Sequence, residues 1–252
     1  MRLTRVYVEA ALTPGSLVEL PPDTASHLAK VLRARSGDEL VLFNGDGREF
    51  SGAIESVRGS RVSASVGDGR PVDRESPLAI TLVQCVPRGD RMDFIVQKAT
   101  ELGVARIVPV LSQRSVVRLD KSQAESKAIH WRAVAVSACE QCGRNRLPAI
   151  EAAQPLLNYL GESSPGTGPR LVFEPETKAH ALAVAPSPGG TAEIAIVDAE
   201  IAIGPEGGFT SDELEAFRIA GFSQVGLGPR ILRAETAAIA AVVWLQARFG
   251  DM

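Results

Sequence analysis

Two stretches decide the reading of this chain: Val225-Gly-Leu-Gly-Pro-Arg-Ile-Leu-Arg-Ala-Glu-Thr-Ala237 and, just upstream, Ile203-Gly-Pro-Glu-Gly-Gly-Phe209. Each follows an apolar run of strand character and leads into a helix. Glycine at Gly204, Gly207, Gly208, Gly226 and Gly228 removes side chains where backbone must turn sharply or come close to a ligand. Turn geometry alone accounts for one such loop. Two of them at the carboxyl ends of strands, in one half of a chain, read as walls of one pocket.

Around that centre the chain is ordinary in composition. Its 252 residues suit two domains and a sizeable core, and 45% apolar with 23% charged residues is typical of a soluble protein. Arg2, Arg5 and Glu9 interrupt the first residues, so no signal-peptide hydrophobic region is expected. The longest apolar run, Ala237–Leu245, is too short to span a bilayer. Cys85, Cys139 and Cys142 form no disulfide framework, which fits a reducing cytosol. Cys139 and Cys142 have a Cys-x-x-Cys spacing but no second pair or neighbouring histidine, and zinc needs about four ligands, so no metal is expected. His27, His130 and His180 stand singly.

Charge is unevenly spread. The net charge is −3, yet Val86–Arg146 holds eleven Lys/Arg against six Asp/Glu, while Leu147–Met252 holds six against thirteen. A basic middle offers a phosphate-binding surface, and solvated helix faces explain the same charges equally well.

The first part alternates short strands and tight turns. Leu3–Val8, Leu17–Leu20, Glu39–Phe43, Glu49–Ser56 and Arg61–Val66 read as strands, with one helix over Pro22–Ala34 and a hairpin signal at Asn44–Gly47. That pattern predicts a small β-barrel, and Gly67–Pro77 reads as its linker. Beyond it the grammar becomes strand, helix, strand. Strands are expected at Ala79–Val86, Arg106–Leu111, Arg170–Phe173, Ala192–Val197, Ala199–Ile203 and Ser223–Leu227. Helices are expected at Arg91–Leu102, Ser126–Cys142, Thr210–Ala220, with Thr210 and Glu213 as a capping box, and Thr236–Phe249. The last is apolar almost all round and should be buried, with a second subunit as one candidate to cover it. The unbroken apolar strands predict a parallel α/β sheet covered on both faces.

The usual nucleotide signatures are missing. Gly226-Leu227-Gly228 runs into Pro229 rather than a dinucleotide fingerprint, and there is no Gly-Lys-Ser/Thr loop or Gly-x-Ser-x-Gly elbow. NAD, ATP and serine-hydrolase chemistry are therefore disfavoured.

Several separated motifs then occur together. They are Arg88-Gly-Asp-Arg-Met-Asp93, Gln97-Lys-Ala-Thr-Glu-Leu-Gly103, Ala138-Cys-Glu-Gln-Cys-Gly-Arg144, Ile203–Gly208, Leu227–Thr236 and Gln246-Ala-Arg-Phe-Gly-Asp251, with Asp73–Pro77 before them. In this order they resemble the RsmE family, bacterial 16S ribosomal RNA (uracil-N3)-methyltransferases of the SPOUT superfamily. The likeness runs nearly end to end, although Pro186–Glu200 looks longer than the usual family connection.

The resemblance implies a PUA-like RNA-binding β-barrel over residues 1–72 and a SPOUT methyltransferase domain over 73–252 with a C-terminal trefoil knot. It also implies a cytoplasmic homodimer that uses S-adenosyl-L-methionine to methylate N3 of uridine 1498 of 16S rRNA in the 30S subunit, with no metal and no membrane. By the same resemblance, Phe173, Glu174, Ile203, Gly204, Glu206, Gly207, Gly208, Leu227, Gly228, Ile231, Leu232, Thr236 and Ala237 bind the cofactor. Removing the N3 proton calls for an acceptor and for stabilised charge on the uracil oxygens, which points to Glu206, Glu235 and Arg233. Their other readings are a helix-start carboxylate for Glu235 and a phosphate clamp or dimer salt bridge for Arg233. RNA contact is expected at Arg2, Arg5, Arg33, Arg88, Arg91, Arg114 and Arg144. The competing function is a non-catalytic RNA-binding protein that keeps the fold.

Overall fold

A computed structural model describes residues 3–163, 167–175, 177 and 197–252. The chain divides into two compact units, Met1–Glu75 with Val136–Leu147, and Ser76–Ala135 with Pro148–Met252.

In the first unit, β1 (Thr4–Tyr7), β2 (Leu17–Glu19), β3 (Glu39–Phe43), β4 (Arg48–Arg58) and β5 (Arg61–Pro71) form one sheet in the order β1-β3-β4-β5-β2. Only β1–β3 is parallel; the other pairs are antiparallel. Alternate strand residues Val6, Leu40, Leu42, Phe50, Ile54, Val62, Ala64 and Val66 turn inward and meet Ala25 and Leu28 of α1 (Pro22–Lys30) in a single core. Gly45 and Gly47 both take φ of +92°, the left-handed backbone that the Asn44–Gly47 turn needs. β5 departs from expectation by running through Gly67–Pro71, into the stretch read as a linker. The glycines there serve packing rather than turning. A Cβ on Gly67 would stand 2.4 Å from the Ser51 hydroxyl, and one on Gly69 2.5 Å from the Phe50 ring.

The second unit is built on a parallel sheet, as its apolar runs predict. Its strands are β6 (Ala79–Cys85), β7 (Arg106–Leu111), β8 (Ala149–Ile150), β9 (Gln154–Pro155), β10 (Arg170–Phe173), β11 (Asp198–Ile203) and β12 (Ser223–Val225). The order is β12-β10-β11-β6-β7-β8, with β9 also on β7, and every ladder is parallel. Helices α2 (Arg91–Glu101), α3 (Lys121–Cys142), α4 (Leu156–Glu162), α5 (Ser211–Ile219) and α6 (Ala234–Phe249) accompany it, the end of α3 from Val136 belonging to the first unit. Leu82, Ile95, Ile107, Trp131, Ile201, Ala241, Val242 and Leu245 share one core, and Val83, Val108, Val172, Phe209, Phe217 and Phe222 share another. Two apolar clusters on alternating strand residues mean that both sheet faces are covered.

From β12 at the sheet edge the chain returns through residues 226–233 to α6, which packs on α2, β6 and β11 in the middle of the sheet. The expected strand Ala192–Val197 lies outside the described residues apart from Val197, as do Arg2 and His180. β8, β9 and α4 were not expected. The two strands are two residues each, too short to carry a periodic pattern.

Candidate active site

Because all strands of the second sheet run the same way, β10, β11 and β12 deliver their carboxyl ends to one side, and the loops that follow gather there. Phe173 at the end of β10 with Glu174 and Pro175 after it, Leu227, Gly228, Arg230 and Leu232 after β12, and Ala237 in the first turn of α6 line one small cleft. Two glycines shape its rim. Gly228 has φ of +99°, which an L side chain adopts only with strain, and Gly226 brings its backbone so close that a Cβ would lie 2.6 Å from the Thr177 carbonyl oxygen. Glu174 donates its N–H to the Val225 carbonyl and accepts from the Thr177 N–H, which holds the β10 wall against the β12 loop.

Of the residues expected at the cofactor, Phe173, Glu174, Leu227, Gly228, Leu232 and Ala237 line this cleft, while Ile203, Gly204, Glu206, Gly207, Gly208, Ile231 and Thr236 do not. Ile203 is a core residue and Ile231 is the most exposed large apolar side chain described, at 84%. Arg230 lines the cleft although sequence reasoning passed over it. Its place inside the Gly-Pro-Arg-Ile-Leu loop was the available signal.

The Ile203–Phe209 loop is held by the basic segments on either side. Gly208 takes φ of +67° there. Glu206 Oε1 accepts from Arg91 Nη1 at 2.8 Å and from the Arg88 N–H at 3.3 Å, at the start of α2, where a carboxylate also suits the helix dipole. Arg114 Nη1 donates to the carbonyls of Gly207 and Phe209, at 3.0 and 3.2 Å. The loop ends in the expected capping box. Thr210 Oγ1 accepts the Glu213 N–H, Glu213 Oε2 accepts the Thr210 N–H, and the buried Glu213 also takes the Gln113 N–H at 2.7 Å.

The three residues expected to act in catalysis differ in setting. Arg233 is the exposed N-cap residue of α6 and pairs with no carboxylate among the described residues. Glu206 is taken up by Arg91 and Arg88. Glu235, in the first turn of α6, has Oε1 3.9 Å from Arg91 Nε, while its Oε2 is buried and accepts no hydrogen bond among the described residues.

The arginines expected on RNA divide sharply. Arg33, with φ of +51°, and Arg88 are exposed. Arg91 and Arg114 are spent on the glycine loop as described above. Arg5 and Arg144 are buried, at 8% and 4% exposure, instead of facing solvent. Arg5 pairs with Glu49, bonds Asn145 Oδ1 at 2.7 Å and covers the Phe43 ring, and Arg144 pairs with Glu75 at 2.6 Å. No phosphate reaches a guanidinium enclosed in this way. Burial raises the Glu140 carboxyl above its usual range, although it accepts the Tyr7 N–H at 3.0 Å. The Cys139 thiol is likewise raised, by its neighbour Cys142 and by burial, so it is not a reactive thiolate. Among the described residues no group of three or more His, Cys, Asp or Glu could hold a metal ion, and no helix is long and apolar enough to cross a membrane.

The parallel sheet with its glycine-walled cleft and the small mixed β-sheet unit each match a known class of domain, those of RNA methyltransferases with a PUA domain. A family model described as RNA methyltransferase domain matches residues 74–246, and one described as RNA methyltransferase PUA domain matches 20–66. Curated proteins named ribosomal RNA small subunit methyltransferase E are 33% identical in Buchnera aphidicola, over 100% of this chain and 98% of that protein, and 31% identical in Bacillus subtilis, over 96% and 93%. The chain belongs to the ribosomal RNA small subunit methyltransferase E family. A crystal structure of that methyltransferase from Neisseria gonorrhoeae bound to S-adenosyl methionine is 36% identical, with a TM-score of 0.86 and 100% of both chains covered. A Legionella pneumophila structure in complex with bound cofactor SAM is 38% identical, with a TM-score of 0.90 and the same coverage.

Proposed function

We propose that this chain uses S-adenosyl-L-methionine to methylate N3 of uridine 1498 in 16S rRNA of the small ribosomal subunit, as a cytoplasmic homodimer. The observation that carries the reading is the cleft between Phe173–Pro175 and Leu227–Leu232, walled by glycine backbone, in a chain whose full-length relatives of known structure hold S-adenosyl methionine. The cleft suits such a ligand. Phe173, Leu227 and Leu232 offer apolar faces, Gly228 lines the cleft with backbone alone, and Glu174 and Arg230 add polar groups beside them.

The cofactor supplies an activated methyl group, so the chain's own work is binding, orientation and charge. Ile203, Gly204, Gly207, Gly208, Ile231 and Thr236 are the remaining cofactor contacts in this reading. The uracil N3 proton must leave before or during transfer. Glu235 is the better acceptor, because its Oε2 is buried without a donor, whereas Glu206 is already engaged by Arg91 and Arg88. Arg233, exposed beside it in sequence, stabilises the charge that develops on the uracil oxygens. Arg33 and Arg88 carry phosphate contacts.

The test is methyl transfer to small subunits from a bacterial strain lacking its own copy of the enzyme, with the product mapped by mass spectrometry. The expected product is 3-methyluridine at position 1498. Methylation at another nucleotide, or none, rejects the assignment. Arg233→Ala should lower single-turnover methylation by about 100-fold while leaving cofactor affinity within a few-fold, as measured by calorimetry.

A further inference from the structure

Arg91 was expected at the RNA. It sits instead at the first position of α2 between two carboxylates that belong to different segments of the second unit. Its Nη1 lies 2.8 Å from Glu206 Oε1 on the loop after β11, and its Nε lies 3.9 Å from Glu235 Oε1 on the first turn of α6. The side chains are 37%, 33% and 17% exposed respectively, so the bridge is only partly open to solvent. Glu206 is fixed from a second side by the Arg88 N–H at 3.3 Å. One guanidinium thus ties three segments that meet nowhere in sequence: Arg88–Arg91, Ile203–Phe209 and the entry to α6. It also engages only one oxygen of Glu235. The other, Oε2, is buried and accepts no hydrogen bond among the described residues, and a buried carboxylate oxygen without a donor is costly to keep.

We infer that Arg91 is a positioning residue for methyl transfer, one that holds the Glu206 loop against α6 and fixes the Glu235 carboxylate so that Oε2 receives an N–H or O–H donor from a bound ligand. Arg91 is not a phosphate contact. The inference rests on the activity proposed above, in which the donor is the uracil N3–H, and a donor on the cofactor is the competing outcome of the test.

The experiment is a double-variant cycle on the full chain with R91A, E206A and the pair, with R91K as the conservative variant and thermal melts to establish folding. Three quantities are read: the single-turnover methylation rate at saturating cofactor and RNA, cofactor affinity by calorimetry, and the salt dependence of RNA binding. R91A and E206A should each lower the rate by about 100-fold, the effect of a small misplacement of reacting groups. The pair should be no slower than the slower single variant. R91K should recover part of the rate, and RNA affinity and its salt slope should stay as in wild type. E235Q locates the donor: a loss confined to the rate assigns it to the uracil, and a parallel loss of cofactor affinity assigns it to the cofactor. An E235Q chain unchanged in both overturns the role given to Oε2.

Additive effects of R91A and E206A overturn the bridge. A salt slope reduced by about one in R91A, with the rate at saturating RNA unchanged, identifies a phosphate contact and overturns the inference. A wild-type chain that transfers no methyl group fails the proposed activity instead. The bridge is then judged from cofactor affinity, where additivity of R91A and E206A again overturns it.

Discussion

Gly226 and Gly228 are two residues apart in one loop, yet an added methyl group meets a different obstacle at each. At Gly228 nothing lies within 4 Å, and the cost is the backbone alone, held at φ of +99°. Gly228→Ala should therefore cost about 1–2 kcal/mol, seen as a melting temperature several degrees lower, with the wall's shape retained. At Gly226 the Cβ would meet the Thr177 carbonyl oxygen at 2.6 Å, so backbone must move. Gly226→Ala should weaken cofactor binding by about tenfold or more, the equivalent of 1.4 kcal/mol, in a calorimetric titration. The glycine pattern was legible in the sequence because glycine has few reasons to recur in an apolar loop. The arginines were not, because what decides an arginine's role is its partner. Glu49 for Arg5, Glu75 for Arg144 and Glu206 for Arg91 are brought in by tertiary structure, and nothing local marks them.

At the level of elements, α6 shows how one polar side chain organises an apolar helix. Gln246 is fully buried; its amide donates to the Leu102 carbonyl at 2.7 Å and its Oε1 accepts from Ser76 Oγ at 2.7 Å. It thereby closes the end of α2 and pins the residue that opens the second unit. Gln246→Leu keeps the side-chain size but orphans the Leu102 carbonyl and the Ser76 hydroxyl, and should cost roughly 2–4 kcal/mol in urea unfolding. The apolar character of α6 and the parallel strands were readable from periodicity, and the Thr210–Glu213 capping box from spacing alone. β5 was cut short because Gly67 and Gly69 signal a turn in isolation, and only the facing Ser51 and Phe50 reveal why glycine stands in a strand.

Across the whole molecule, each unit closes on itself through residues distant in sequence. In the first, Glu49 accepts from Arg5 and, at 2.7 Å, from Arg74, which also reaches the Gly143 carbonyl, while Asn145 Nδ2 donates to the Val72 carbonyl. Burial works to raise the Glu49 carboxyl, but the hydrogen bonds from Arg74 and Arg5 outweigh it and hold the group below its ordinary 4.5. A carboxyl depressed by folding stabilises at pH above its unfolded value, and that contribution is lost as the pH falls through the folded one. Glu49→Gln should therefore destabilise the first unit at neutral pH by about 3–5 kcal/mol, since Arg5 stays buried without its counter-charge. The variant should also lose part of the wild type's decline in stability below pH 4.5, which urea melts across the acid range would record.

The second unit closes later in the chain. β6 finds its neighbour in β11, with Ala79 opposite Asp198, and α6, ending at Phe249, packs on both. During synthesis β6 and β7 therefore emerge with an open apolar strand edge and wait for most of the remaining chain before their ladder is filled. Contacts of such long range make for slow folding. The cleft, drawn from the ends of β10 and β12 and from α6, exists at no earlier stage of translation, so a nascent chain gains its capacity for ligand in one late event.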